Sequence, residues 1–437
     1  MTFVALAILF TGLPLDVPPN RQPHWTQLRE SAWDAERRGD STAALKLFQQ
    51  ELSAAKQVSA PQYFIALEDI GNYFWHIDDA RSAEPYFRTA VSILNSATEP
   101  HSRSRAIALN NLATVLRFTG AYDESEATQF RALREFQQQG HMVDVARCYA
   151  SLAEISLARG DSSHAASRLK TASEVLESNG LDSVQAGNTL VWMAQNFLVL
   201  NMLPDAALAM DRARPMLEGR LPDDDAGMIA YQDTRAAVLF RRHRYGEAER
   251  IWNRALESAQ AGHVDTVTVR VHLAQLYSSL GEYDKAAEDF TELLQTEDAA
   301  ALTRGVVESE LGWALLQAGH DQRAQAWFNS AMVHLDALGL AHSMPVATLC
   351  ERYARLYTVR RDWNDALPLL QRAIAIGQHA GASNTADWLL ERAEIYKKLG
   401  NKKEASASKK AAEALFAANP KQKRETVDLR ELEAEKR

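Results

Sequence analysis

Residues 273–294 read LAQLYSSLGEYDKAAEDFTELL. Ala274 stands on an apolar helical face, Gly281 and Glu282 interrupt that face, and a second helical pattern begins at Tyr283. In the second run Ala286 is followed four residues later by Phe290, and Leu293 and Leu294 continue the stripe. Apolar residues three and four apart on both sides of a glycine describe two amphipathic helices joined by a tight turn. Two antiparallel helices approach closely only where side chains are short, so the small residue of the first faces the alanine of the second.

The same pattern recurs along the chain. AAVLFRRHRYGEAERIWNRAL carries Ala236, Tyr245, Ala248, Trp252 and Ala255 in the equivalent places. LGWALLQAGHDQRAQAWFNSAM carries Gly312, Gly319, Ala324, Phe328 and Ala331, with Gly312 expected to face Ala324. ARLYTVRRDWNDALPLLQRAI has Ala354, Trp363, Ala366, Leu370 and Ala373, and IGNYFWHIDDARSAEPYFRTAV has Gly71, Ala83, Phe87 and Ala90. Weaker copies centre on Ala44, Ser125, Ala165, Ala206 and Ala405. The second-helix markers therefore stand at 44, 83, 125, 165, 206, 248, 286, 324, 366 and 405, spaced 38 to 42 residues apart. A single hairpin cannot bury its apolar face, so the copies must stack and share a continuous core. The large residue after each marker, Phe290 or Trp252, is expected to fill the wedge against the neighbouring hairpin. The expected fold is all-α, a solenoid of about ten antiparallel helix hairpins.

These units resemble tetratricopeptide repeats over about residues 25 to 416. The period near 40 departs from the family's common length of about 34 and resembles the long-helix variant of kinesin light chains and of several bacterial regulators and scaffolds. The resemblance implies a right-handed superhelix and a non-enzymatic protein-interaction role. The first copy lacks the aromatic turn residue, and the last has Lys402 and Lys409 where apolar residues are usual. Both departures suit terminal caps whose outer faces meet water.

Composition agrees with one elongated repeat domain. Of 437 residues, 46% are hydrophobic and 24% charged, enough to build a core along most of the length. Lys and Arg total 48 against 57 Asp and Glu, a net charge of −9 without a basic stripe. That balance argues against nucleic acid and against a basic membrane-surface helix. Residues 1–23 hold the apolar run FVALAILF and a Pro-rich linker. The run suits a signal-sequence core, but no Lys or Arg precedes it and no A-x-A site follows. An exported, periplasmic location and a cytoplasmic one both stay open, with membrane involvement only through that segment. Residues 24–416 form the expected solenoid and 417–437 a charged tail. Loops are expected at 95–104, 219–226 and 338–345.

Catalytic and metal-binding patterns are missing. The chain has no H-E-x-x-H, no G-x-x-x-x-G-K-[ST], no G-x-G-x-x-G after a strand and no G-x-S-x-G. Its twelve histidines are scattered. Cys148 and Cys350 lie about two hundred residues apart in apolar helical runs, as small packed residues do. The triplet Asp223–Asp225 lacks the alternating ligands of a calcium loop and reads as a helix start. No cofactor and no small-molecule substrate are expected; the expected partner is a protein or peptide.

In tetratricopeptide repeats the first helix of each hairpin lines the concave face, and residues one turn either side of its small residue project into the groove. Carried over copy by copy, this implies Asn72 and His76, then Asn110, Thr114 and Arg117, then Arg147 and Glu154. Next come Trp192 with Gln195, Asp233 with Arg241, His272 with Gln275, Trp313 with Gln317, and Arg352 with Arg355. Spacings of three and four, or seven and eight in the sets Arg147–Glu154 and Asp233–Arg241, put each set on one helical face. Asn and Gln can pair with an extended peptide backbone, and Trp and Arg are frequent anchors, so Trp192 and Trp313 are the expected ones. The resemblance leaves three roles open: a scaffold, the peptide-sensing half of a regulator with a separately encoded effector, and a repeat module detached from a CHAT-type protease.

Overall fold

The computed structural model describes residues 24–418 apart from 78, 96–102, 263, 296–300, 339, 342, 380, 381 and 383. The apolar N-terminal run and the charged tail, and with them the signal-sequence expectation, lie outside the described residues. Among those residues there are twenty α-helices and no strand. They divide into two compact units between Arg241 and Arg242.

The first unit holds α1 (His24–Arg37), α2 (Ser41–Lys56), α3 (Ala60–His76), α4 (Ala80–Asn95), α5 (Arg103–Phe118) and α6 (Tyr122–Gln138). It continues with α7 (Met142–Ala158), α8 (Ser162–Ser178), α9 (Val184–Val199), α10 (Leu203–Leu217) and α11 (Ala226–Arg241). The second holds α12 (Tyr245–Ala261), α13 (Val267–Leu280), α14 (Tyr283–Gln295), α15 (Ala301–Gln317) and α16 (Asp321–Ala337). It ends with α17 (Met344–Arg360), α18 (Trp363–His379), α19 (Thr385–Lys398) and α20 (Lys402–Ala418). Odd helices are the first helices of the repeat, even helices the second. The expected loops are shorter than the sequence suggested, because Arg103, Ala226 and Met344 already begin helices.

The turns follow one rule. Among the described residues, the residue just past a first helix commonly adopts a left-handed conformation, and the next amide donates to the carbonyl five residues back. Gly281 has φ 81°, and Glu282 N–H donates to the Tyr277 carbonyl at 2.9 Å. Gly120, Gly160, Gly319 and Gly400 do the same, with Asn401 N–H donating to Tyr396 at 2.8 Å in the last copy. This closure satisfies the orphan carbonyls of the helix end, and glycine enters the left-handed region without a Cβ penalty. Asn201, His243 and Arg361 adopt it as non-glycine residues at the equivalent place. Capping then starts the next helix: the Asp40 and Asp161 carboxylates accept from Ala43 and His164 amides. Asp225 of the acidic triplet accepts from Gly227 N–H at 2.7 Å, so its role is to start α11.

The marker residues are fully buried in every copy except the last, where Ala405 is partly exposed. Gly312 does face the Ala324 backbone, but a side chain comes closer. A Cβ on Gly312 would stand 2.6 Å from the Phe328 ring, closer than the 3.3 Å to the Ala324 carbonyl oxygen. At Gly71 it would stand 2.8 Å from the Phe87 ring. The small residue thus makes room chiefly for the bulky side chain one turn beyond the marker.

That bulky side chain also reaches the following first helix. Phe48 packs edge-on to Trp33 of α1 at 4.9 Å and against Tyr73 of α3 at 5.2 Å. Phe328 meets Tyr353 of α17 at 5.4 Å, and Trp252 meets His272 of α13 at 5.6 Å. Two hairpins differ, the last carrying the exposed Lys409 at that place. In α6 the bulky place is taken by Gln129, fully buried, which donates to Asn110 Oδ1 at 2.9 Å. Its marker, Ser125, donates to the Ala113 carbonyl at 2.6 Å, while Gln129 Oε1 is buried without a hydrogen-bond partner among the described residues.

Truncating a bulky wedge leaves a cavity bordered by three helices. Phe290→Ala is expected to cost about 3–5 kcal/mol, with hydrogen-exchange protection lost mainly in α13, α14 and α15. Leu208→Ala, at a 59% exposed site on a second helix, is expected to stay within about 0.5 kcal/mol. Denaturant melts and exchange mass spectrometry of both variants check this.

Candidate partner-binding face

Side chains on consecutive first helices are tied together by polar contacts one repeat apart. In the first unit, Arg29 of α1 pairs with Asp69 of α3 at 2.5 Å, and Trp33 Nε1–H donates to the same carboxylate at 3.2 Å. Asn111 of α5 donates to Glu68 Oε2 of α3 at 2.7 Å. Arg103 and Arg117 of α5 reach Asp144 and Glu154 of α7 at 3.4 and 2.8 Å. Glu154 in turn accepts from Trp192 Nε1–H of α9 at 2.7 Å and from Asn196 at 3.4 Å. Gln195 donates to Thr234 of α11 at 3.0 Å.

The second unit continues the scheme on its own helices. Gln275 of α13 donates to Glu310 of α15 at 3.1 Å. Arg352 of α17 pairs with Glu310 at 2.9 Å, and Arg355 pairs with Glu391 of α19 at 2.6 Å. Arg355 also contacts Glu351 within its own helix. Burial pushes the Glu351 carboxyl up to about 7, against the pull of Arg355.

The residues implied by the family resemblance fall into two groups. Asn72, Asn110, Thr114, Glu154, Trp192, Asp233, His272 and Gln275 are buried. Arg117, Arg147, Gln195, Arg241, Trp313 and Arg352 are half-buried, and His76, Gln317 and Arg355 are exposed. Several of the buried ones are engaged: Asn110 with Gln129, Glu154 with Trp192, Gln275 with Glu310, and His272 beneath Trp252. Thr114 bonds its own helix through the Asn110 carbonyl, Arg241 contacts Asn201, and His76 lies 3.3 Å from Glu36.

The two tryptophans proposed as anchors differ. Trp192 is 7% exposed, and its N–H is committed to Glu154. Trp313 is half-buried, with the Arg352 and Arg355 guanidinium groups 5.8 and 5.5 Å from its ring. Such stacked arginines strengthen an aromatic contact surface when water is excluded.

One feature escaped the sequence reading. Large apolar side chains stand exposed at the last turn of first helices: Ile77, Phe118 and Val199 in the first unit, Leu280, Val359 and Leu399 in the second. Each precedes its second-helix marker by six or seven residues. A comparison of copies at that offset would have found them.

Reactive groups are few. Cys148 and Cys350 are buried, and burial pushes their thiols up to about 12 and about 11, the opposite of an activated nucleophile. Among the described residues no cluster of His, Cys, Asp or Glu could hold a metal ion, and no helix is long and apolar enough to cross a membrane. A cleft of about 410 Å³ between α14, α15 and α16 is lined by Asp284, Glu288, Glu292 and Arg323.

Glu51 of α2 is fully buried, and neither carboxylate oxygen has a hydrogen-bond partner among the described residues. Burial pushes its carboxyl well above the usual range, Asp69 adds to the rise and Arg29 opposes it. The group therefore holds its proton when folded and loses it when unfolded near neutral pH. Stability from this group is present below the unfolded pKa and drains away as pH rises through the folded one. Glu51→Gln is expected to gain about 1 kcal/mol or more over the wild type at pH 8, the gap closing toward pH 5. Urea melts at both pH values check it, and an equal gap at both would reject the assignment.

A tetratricopeptide repeat family model matches residues 227–296. Among solved structures, a Rap protein complexed with competence and sporulation factor aligns at 14% identity. The match covers 82% of this chain and 99% of that one, with a TM-score of 0.57. A monomeric mutant of IFIT1 with m7Gppp-AAAA aligns at 14% identity over 90% of each chain, TM-score 0.50. BtubC from P. vanneervenii aligns at 20% identity over 54% of this chain and 90% of its own, TM-score 0.40. No curated protein sequence matches the chain. At these identities the likeness concerns the fold alone.

Proposed function

We propose that this chain, a tetratricopeptide-type helical repeat protein, is a non-enzymatic scaffold that takes a peptide segment or partner domain on the face formed by its first helices. The carrying observation is the exposed apolar residue that recurs at the last turn of first helices, beside polar ties that hold those helices in register. Single exposed apolar residues are ordinary on a protein surface. Three at one place in the repeat within each unit give a partner a regular row of contacts on that unit. Two further points support a polypeptide partner. The Rap protein of related fold is complexed with competence and sporulation factor, and this chain's net charge of −9 disfavours a polyanion.

In the second unit the contact surface centres on Trp313, Arg355 and Val359, with Val359 64% exposed. The other residues implied by the resemblance contribute in two ways. Those that are half-buried or exposed touch the partner, and those that are buried set the positions of their neighbours.

The test is partner capture by the full chain, followed by affinity measurement on the captured species. Trp313→Ala is expected to weaken binding by 2 kcal/mol or more, a typical anchor magnitude, while changing thermal stability little. Leu208→Asp, on a second helix, should leave capture unchanged. A stability loss of about 3–5 kcal/mol from Trp313→Ala would make it a packing residue instead. Capture of RNA in place of protein would overturn the polypeptide reading.

A further inference from the structure

Buried carboxylates on the first helices are matched by arginine almost throughout. Asp69, Asp144, Glu154, Glu308 and Glu310 lie 2.5, 3.4, 2.8, 3.7 and 2.9 Å from Arg29, Arg103, Arg117, Arg304 and Arg352. Glu351 is paired with Arg355. Glu68 of α3 breaks the pattern. It is 7% exposed, and among the described residues only the neutral amide of Asn111 answers it, at Oε2.

The oxygens beside it are also unanswered. Glu68 Oε1, Asn72 Oδ1 one turn along α3, and Asn111 Oδ1 on α5 are buried without a hydrogen-bond partner among the described residues. Asn72 is 2% exposed and Asn111 fully buried. Because Asn111 Nδ2–H is the donor to Glu68, its Oδ1 is fixed as an acceptor. Glu68, Asn72 and His76 are spaced by four residues, so they form one line along α3 that ends at the exposed His76. The exposed Phe118 ring and the half-buried Trp75 ring pack edge-on at 4.7 Å on the same two helices.

Once Glu68 ionises, its Oε1 joins Asn72 Oδ1 and Asn111 Oδ1 as a third acceptor, and the set calls for a group with several N–H donors and a positive charge. We propose that Glu68, with Asn72 and Asn111, anchors a lysine or arginine side chain of the segment bound by the first unit. This rests on the partner-binding reading above and adds a charge requirement to it. A lysine ammonium offers three donors and an arginine five, and either can lay its aliphatic stem along Trp75 and Phe118.

The inference has a proton signature. Burial pushes the Glu68 carboxyl up to about 8, with the Asn111 hydrogen bond lowering it and Asp69 raising it. Arg29 is committed to the adjacent carboxylate, Asp69. At pH 7 the unbound Glu68 therefore carries a proton. An incoming ammonium or guanidinium favours the carboxylate, so the carboxyl proton leaves to buffer as the ion pair forms.

The test uses the full chain and synthetic decapeptide pools, each with one position fixed as lysine, arginine, leucine or glutamate. Fluorescence anisotropy is expected to give at least tenfold tighter binding for lysine- or arginine-fixed pools, lost in Glu68→Gln. Gln replaces a neutral carboxyl by a neutral amide, so the melting temperature at pH 7 should hold. Calorimetry of the wild type at pH 7 in phosphate and in Tris needs no variant, and should show close to one proton released per basic peptide bound. Binding without basic preference, or without proton release, overturns the Glu68 assignment and leaves the partner-binding reading standing. Failure of every pool to bind overturns both for peptide ligands.

Discussion

A bulky side chain on a second helix, such as Phe328, is held between the small residue of its own first helix and the first helix that comes next. This contact sets both distances that the repeat needs. Gly71 and Gly312 have no space for a Cβ because Phe87 and Phe328 already occupy it, so the wedge fixes how close the two helices of a hairpin lie. The same ring then reaches Tyr353 from Phe328, or Tyr73 from Phe48, and fixes where the following hairpin stacks. Apolar burial of this kind is non-directional. Its shape, large against small, is what gives it a register.

Polar contacts refine that register on the first-helix side. A carboxylate such as Glu154 or Glu310 is taken out of water between two helices, which is unfavourable unless charge and hydrogen bonds are answered. Glu154 collects an arginine, an indole N–H and an amide from three places along the chain. Such a site rewards one arrangement of neighbouring helices and penalises others. The first helices therefore present their exposed residues at spacings that the interior has fixed. A partner that binds there has less ordering to do, which favours affinity. Glu68 and Glu51 stand outside this matching, and both are held as neutral acids by burial.

The repeat was legible in the sequence because its period is local and recurs ten times. Marker alanines and the bulky residues four positions on can be read from one helix at a time. That the Phe328 ring comes nearer to Gly312 than Ala324 does was not legible, because a helical face indicates which residues point inward and says less about which inward atom arrives first. Exposure on the first helices was less legible. Trp192 lies on the face implied for the groove, yet it is buried because Glu154, 38 residues earlier, accepts its N–H. That contact joins two copies, and a pattern within one copy cannot reveal it. The pairing of an acid with an arginine or tryptophan one repeat later, as in Glu310 with Arg352, was readable only by comparing adjacent copies residue by residue. The loop ends were misplaced because Arg103 and Met344 start helices without a strong capping signal: Ser343 precedes α17, but its side chain makes no capping bond.

The left-handed turns also govern how the chain meets a protease. A protease needs its substrate extended, and these turns offer only a few residues between two helix ends, closed by the bond from Asp362 N–H to the Tyr357 carbonyl at 2.9 Å or its equivalents. A trypsin cut after Arg361 therefore requires that α17 and α18 unwind at the turn and separate from their neighbours. Cleavage there follows the population of that opened form when reclosing is fast. Arg361 also occupies the left-handed place where most copies have glycine, so its turn is among the least favourable to close. Digestion rates at that bond would then read out the free energy of opening a single hairpin within an otherwise folded unit.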